Sequence, residues 1–308
     1  MSAERGHSTR RTMSVAAPAG VVYGMLADAV RWPLFLPSHL HVERIDFDGT
    51  VEQLRVWDLV DDRVRSSRVR RTLDPPARAI DFEQRSGVRA DAPVTGRWSV
   101  EPDGDGDTGS VLTLCRDGDD APDVVPALLD QVREMAERWE RLDELLVGFE
   151  DSVHVEGPSE LVYDFLYRME DWVELIPHVE WTLVREDQPG VQLAAMDTCA
   201  GDTGETVTVE SVRLCFPHAG RIVYKETLTP DPIASHSGEW ALLPDESGVR
   251  VVSTHQVMLR DEAVGRTPDG RATGADARHH VRTWLGRAST EALGLAKWHA
   301  ESAVRRLR

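Results

Sequence analysis

The sequence predicts an α+β protein built from two tandem copies of one domain, each a curved antiparallel sheet around a long C-terminal helix. Three observations predict it. The first is a repeat. At an offset of 140, Pro18, Val22, Tyr23, Trp32 and Pro37 fall on Pro158, Val162, Tyr163, Trp172 and Pro177. The offset then becomes 142, and Arg71, Pro75, Ile80, Gly96 and Trp98 fall on Arg213, Pro217, Ile222, Gly238 and Trp240. A period this long is too large for a solenoid and means two copies of one domain. The second observation is length: 308 residues suit two domains, each able to build its own core. The third is that each copy runs in the same order, from strand to helical segment to a run of strands to a final helix.

In the first copy, residues 1–11 are polar and are expected to lack regular structure, and residues 12–17 read as a first strand. Pro18 opens a helical segment in which Val21, Val22, Met25 and Leu26 recur at helical spacing, ending at Trp32-Pro33. Strand candidates follow at 41–47, 51–60, 63–73, 78–84, 95–102 and 110–116, separated by Gly, Asp and Pro clusters as in a meander of hairpins. Leu128, Val132, Met135, Trp139, Leu142 and Leu146 then form one apolar stripe on a single long helix. The second copy repeats this with strands at 152–155, 179–184, 191–198, 206–216, 221–228, 237–243 and 249–259, a helical segment at 158–170 and a final helix over 279–306. The polar stretch 260–278 is a candidate flap. The domains are expected to span residues 1–148 and 149–308.

The composition is that of an ordinary globular chain, 41% hydrophobic and 29% charged. A net charge of −18 repels nucleic acid. No apolar run is long enough to span a membrane. Arg10-Arg11 resembles a twin-Arg export pair, but Pro18 and Gly20 break the run behind it. Cys115, Cys199 and Cys215 lack metal or redox spacing and read as reduced thiols of a cytosolic protein, so a cytoplasmic location is expected. With only 6% aromatic residues, a sheet curved around a helix is expected to leave a cavity, where small ligands bind.

Several motifs fail on context. GDGDTG (104–109) matches a dinucleotide fingerprint, yet it sits in a hairpin loop with no helix after it, and its aspartates would repel a pyrophosphate. His39 with His41, and His279 with His280, lack a third metal ligand at workable spacing. No G-x-S-x-G elbow is present. No cofactor and no metal are expected.

The paired arginines carry more. Arg71 and Arg213 each lie in an alternating strand four residues before a proline. Facing inward, each guanidinium would need a ligand or a carboxylate; facing outward, Arg71 would be one solvated residue among Arg63, Arg65, Arg68 and Arg70. Trp98 and Trp240 are core fillers or pocket walls, as are Trp32 and Trp172 at the end of the helical segment. His255, in an apolar strand, is either a buried structural histidine or a group for proton transfer near neutral pH.

The Trp32-Pro33 helix end, the Arg71-Thr72-Leu73-Asp74-Pro75 turn, the Gly-x-Trp strand and the amphipathic final helix resemble the aromatase/cyclases of bacterial type II polyketide synthases. In the second copy, residues 196–198, 211–217, 221–225 and 236–240 extend the likeness. Two copies over the whole chain resemble the di-domain subclass, within the helix-grip superfamily of Bet v 1 and START-type lipid carriers. The resemblance implies a cofactor-free enzyme acting on a poly-β-ketone tethered to an acyl carrier protein, alongside a ketosynthase and a ketoreductase. It implies a substrate reduced at C9, ring closure between C7 and C12, and dehydration to an aromatic ring. It implies that Arg71 anchors substrate and that Trp32 and Trp98 line the pocket. Where the single-domain pattern has a tyrosine and a tryptophan, this chain has His39 and Ser67, with Trp57 as a compensating candidate.

The site expected from residues and resemblance together is Arg71, Arg213 and His255 as catalytic groups. Trp32, His39, Trp57, Ser67, Trp98, Trp172, His236 and Trp240 are the expected substrate-binding residues. A fixed guanidinium would stabilise oxyanion character, and His255, with His39 and His236 behind it, would serve the loss of water. The competing expectation is a non-catalytic tandem carrier of lipids or other hydrophobic ligands.

Overall fold

The structure is a computed structural model that describes residues 8–87, 93–104, 108–118, 124–199, 206–262 and 274–307. Residues 105–107 of the GDGDTG stretch and 263–273 of the candidate flap lie outside the described residues. The chain divides into two compact units, 1–142 and 143–308.

In the first unit, strand β1 (Ser8–Val15) leads into α1 (Ala19–Ala27), a single 3-10 turn and α2 (Trp32–Phe35). Six strands follow: β2 (His39–Phe47), β3 (Val51–Val60), β4 (Arg63–Asp74), β5 (Ala79–Ser86), β6 (Val94–Pro102) and β7 (Ser110–Asp117). They form one antiparallel sheet in the order β1-β7-β6-β5-β4-β3-β2, a meander whose first strand closes onto its last. Helix α3 (Val124–Ala136) packs on the sheet, and the short α4 (Leu142–Leu145) spans the division between the units. The second unit repeats the order with β8 (Leu146–Val155), α5 (Ser159–Tyr167), α6 (Trp172–Leu175), β9 (Val179–Gln188), β10 (Val191–Cys199), β11 (Thr206–Phe216), β12 (Arg221–Leu228), β13 (Ile233–Asp245), β14 (Gly248–Leu259) and α7 (Gly274–Leu307). Its sheet order is β8-β14-β13-β12-β11-β10-β9. The expected two-sheet, helix-covered α+β architecture is the observed one.

Alternation decides what faces the core. On β3 and β4 the cross-strand pairs Glu52/Arg71, Leu54/Val69 and Val56/Ser67 share the concave face. Leu54, Val56 and Val69 belong to one buried cluster with Ala29 and Val42. Trp98 and Val100 of β6 pack with Val22 and Leu26 of α1 and Leu129 and Val132 of α3. In the second unit, Leu293, Ala296 and Ala300 of α7 recur at helical spacing and pack with Val249 and Val251 of β14 and Val162 and Phe165 of α5.

Four expectations need correction. Residues 8–11 pair with β7 and so belong to β1 rather than to an unstructured leader. The single helix expected through Leu146 stops at Ala136, because Leu146 is already the first residue of β8 and the chain must turn within the residues between. The 148/149 peptide lies inside β8, six residues past the division between the units. Among the described residues, the α1–α3 region of the first unit shows no ligand-sized interior cavity. There Met25, Leu26, Trp32, Phe35, Leu36, Val132 and Met135 enclose about 20 Å³, room for one water. A larger opening, about 420 Å³, involves Arg70, Thr72, Asp81, Glu83, Thr95 and Arg97, residues that alternate with the inward ones.

Candidate active site

Each paired arginine begins its work at a helix end. The last turn of an α-helix leaves carbonyls without intrahelical donors, at the negative end of the helix dipole. Arg71, 2% exposed, donates from Nη1 to the carbonyl of Leu26 (2.7 Å) and from Nη2 to that of Ala27 (2.6 Å), the final residues of α1. Its Nε donates to Glu52 Oε1 (2.6 Å), its Nη2 faces the same carboxylate, and its plane stacks on Trp32 (4.8 Å). Arg213, also 2% exposed, makes the matching bonds to Leu166 and Tyr167 at the end of α5. Both arginines therefore tie a helix to the sheet. Arg68 and Arg70 alternate away from it, Arg63 and Arg65 lie at the far end of β4, and all four are exposed while Arg71 is buried, so the inward reading of Arg71 is the correct one. Its protein partners make Arg71 a clamp between α1 and the sheet.

The two clamps differ in one residue. The partner of Arg71 is the fully buried carboxylate of Glu52, which also accepts from Arg44 Nε at 2.8 Å. Arg213 instead faces the amide of Gln192 on β10, whose Oε1 accepts at 2.7 Å. Gln192 passes the contact on to Glu186 (3.0 Å), an exposed residue. No carboxylate touches Arg213 among the described residues, and its Nε has no hydrogen-bond partner among them. Burial pushes both guanidinium groups below their ordinary pKa, but only Arg71 has a carboxylate beside it to oppose this.

Beside Arg213 lies the other polar group of the second unit. Arg213 pairs across strands with Tyr224, Tyr224 with Gly238, and Gly238 with His255. Tyr224 lies over Gly238, where a Cβ would overlap the phenol ring and the carbonyl of Thr254; Gly96 holds Phe82 in the same way. Gly238→Ala is expected to displace the phenol and cost about 1–3 kcal/mol, as overpacking does, read as a lowered melting temperature. An unchanged melt would mean that the ring yields freely.

The Tyr224 hydroxyl is 3.2 Å from His255 Nδ1, and His236 Nε2 is 3.1 Å from the same nitrogen. His236 Nδ1 lies 2.6 Å from Glu226 Oε1, and Ser253 Oγ 3.0 Å from His255 Nε2. Phe149 stacks on His255 at 4.5 Å. Burial, then the nearby His236 and Arg282, lower the His255 pKa to about 3, so the resting imidazole is neutral. Burial, then the Glu226 charge, push the Tyr224 phenol upward and keep it protonated.

The tryptophans divide between the units. Trp172 donates from Nε1 to the Phe165 carbonyl (2.9 Å) and meets Trp240 edge-on at 6.1 Å, both 5.8 Å from the Arg213 guanidinium. Trp240 stacks on Tyr224 at 4.7 Å. In the first unit Trp32 bonds the Met25 carbonyl (3.2 Å) and meets His39 edge-on at 5.3 Å; Trp98 is in the core, and Ser67 accepts from Gln84 on the concave face. Trp57, 5% exposed, sits at the opposite parity from Glu52, Leu54 and Val56, stacks with Arg55 (4.8 Å) and packs on His41, on the other face of β3 from the Arg71 row. Glu52, Gln192, Tyr224, Glu226 and Ser253 were not foreseen. A glutamate in step with Leu54 and Val56 was a signal available for the first of them.

Known proteins are similar to this chain along nearly its whole length. The granaticin polyketide synthase bifunctional cyclase/dehydratase of Streptomyces violaceoruber is 32% identical over 313 residues, 97% of this chain and 95% of that one. The chain belongs to the polyketide cyclase/dehydratases. The actinorhodin bifunctional cyclase/dehydratase of Streptomyces coelicolor is likewise 32% identical, covering 95% of this cyclase/dehydratase and 96% of its own length. The family described as polyketide cyclase / dehydrase and lipid transport matches residues 15–139. Two solved structures superpose on 96% of the cyclase/dehydratase chain and 99% of their own. The di-domain ARO/CYC StfQ of the steffimycin pathway does so with a TM-score of 0.85 at 31% identity. BexL of the BE-7585A pathway does so with 0.82 at 33%. Among the described residues no helix is long and apolar enough to cross a membrane.

Proposed function

We propose that this protein closes the first ring of a poly-β-ketone held on an acyl carrier protein and dehydrates it to an aromatic product. The finer reading is C7–C12 closure on a chain already reduced at C9, in a type II synthase with its ketosynthase and ketoreductase, without a cofactor. The observation that carries it is the inner face of the second unit. A buried guanidinium with no carboxylate partner and a free Nε–H stands beside a protonated phenol and a neutral imidazole. Ring closure develops negative charge on a carbonyl oxygen, which a fixed cation in a low-dielectric site stabilises. Loss of water needs a proton taken and a proton given, which a phenol–imidazole pair does without redox chemistry. A poly-β-ketone closes spontaneously in many registers, so holding one conformation is itself a large part of the catalysis.

The test is reconstitution of carrier-bound chain from a minimal synthase and a ketoreductase, with products read by mass spectrometry. Adding the protein is expected to convert a mixture of shunt products into one first-ring aromatic compound. A product mixture that stays the same while the protein binds the chain would establish the carrier reading instead.

A further inference from the structure

The repeat allows each inner-face position of one unit to be compared with its counterpart in the other. Tyr224, Glu226 and His236 correspond at the 142 offset to Phe82, Gln84 and Val94. Gly238 pairs with His255, and Gly96 with Arg116; Trp240 pairs with Ser253, and Trp98 with Leu114. Every member of the buried polar chain in the second unit is therefore replaced in the first. The cation changes in step: Arg71 is closed by Glu52, Arg213 is left open by Gln192. Two buried donors around Arg213 are also without partners among the described residues, Arg213 Nε and Trp240 Nε1. Buried donors of this kind are rare in folded proteins and suit the carbonyl and enolate oxygens of a ketide.

We propose that the second unit alone carries the dehydration chemistry, with Tyr224 and His255 as its catalytic pair and His236 and Glu226 as positioning residues. This rests on the cyclase/dehydratase reading and adds to it which copy acts and through which atoms. With His255 Nε2–H donated to Ser253 Oγ, the His255 Nδ1 lone pair is left to accept from Tyr224 Oη–H and from His236 Nε2–H, while Glu226 shares the proton at His236 Nδ1. Tyr224 Oη takes the α-hydrogen of the ring β-hydroxy ketone as a proton while its own proton passes to His255 Nδ1. The C–H electron pair moves onto the carbonyl oxygen beside Arg213. When the C–O bond breaks, Tyr224 delivers its proton to the departing hydroxide and His255 returns the borrowed one. One C–H and one C–O bond break, one C=C and one O–H bond form, water leaves, and the protein ends as it began. His255 is faced by Tyr224 on β12, by His236 on β13 with Glu226 behind it, by Ser253 on its own strand, and by Arg282 of α7 across Phe149.

Tyr224→Phe is the decisive variant, because Phe82 shows that a phenyl ring fits over the matching glycine. In the reconstituted full-length system it is expected to slow aromatisation about 100-fold, with the hydroxylated ring accumulating and the melting temperature unchanged. Glu226→Gln is expected to cost about 10-fold and to move the acid limb of the pH–rate profile, which a merely structural carboxylate would not do. A wild-type protein that forms no aromatic product removes the cyclase reading and this proposal with it. A wild type that aromatises alongside an equally active Tyr224→Phe removes the proposal alone.

Discussion

Glu52→Gln is expected to destabilise the first unit by about 3–5 kcal/mol, the usual cost of removing one partner of a buried ion pair. Glu52 is fully buried and accepts from both Arg71 and Arg44. Its amide could satisfy one of them and would leave the Arg71 cation uncompensated in an interior with few other acceptors. A loss of this size is read by calorimetry as a melting temperature lower by about 10 °C. The converse change, Gln192→Glu, places a carboxylate against Arg213 and is expected to leave the melting temperature of the protein unchanged or higher. If Glu52→Gln melts like the wild type, the claim that the first clamp is held by charge is wrong.

The second large effect is on turnover. Arg213→Lys is expected to lower first-ring formation by about 100–1,000-fold, the range seen when one preorganised donor to an oxyanion is removed. Lysine keeps the charge but cannot fork between the Leu166 and Tyr167 carbonyls while presenting another N–H inward. Gln192→Glu tests the same point from the other side, since it neutralises the cation without removing it. Turnover is expected to fall with the fold intact. Full activity in both variants would exclude Arg213 from the chemistry.

Much of this was legible in the residues, and the failures have identifiable causes. The Trp32/Trp172 and Trp98/Trp240 pairs exposed the duplication, and the Gly, Asp and Pro breaks between strands were enough to expect the meander. The facing of Trp57 was not readable, because Val56 and Trp57 are adjacent and both apolar, so the parity of β3 is set only by its register with β4. The role of Arg71 was hidden for a related reason. Its partners, Glu52 and two backbone carbonyls of α1, come together only when strand register and helix position are both known. His255 and His236 stood out as residue types, but Glu226 sits in a strand that reads as an ordinary solvated edge. Its inward turn follows from its step with Ile222 and Tyr224. The break after Ala136 carried no signal, since no proline or glycine marks it.

The arginine clamps grip oxygens that every residue possesses, so the grip is indifferent to what those residues display. Ala19–Ala27 and Ser159–Tyr167 share only a Val-Tyr step and the leucine three residues on, yet both are moored at the same two places. A chimaera that exchanges only this nine-residue segment between the units therefore keeps both oxygens that each arginine grips.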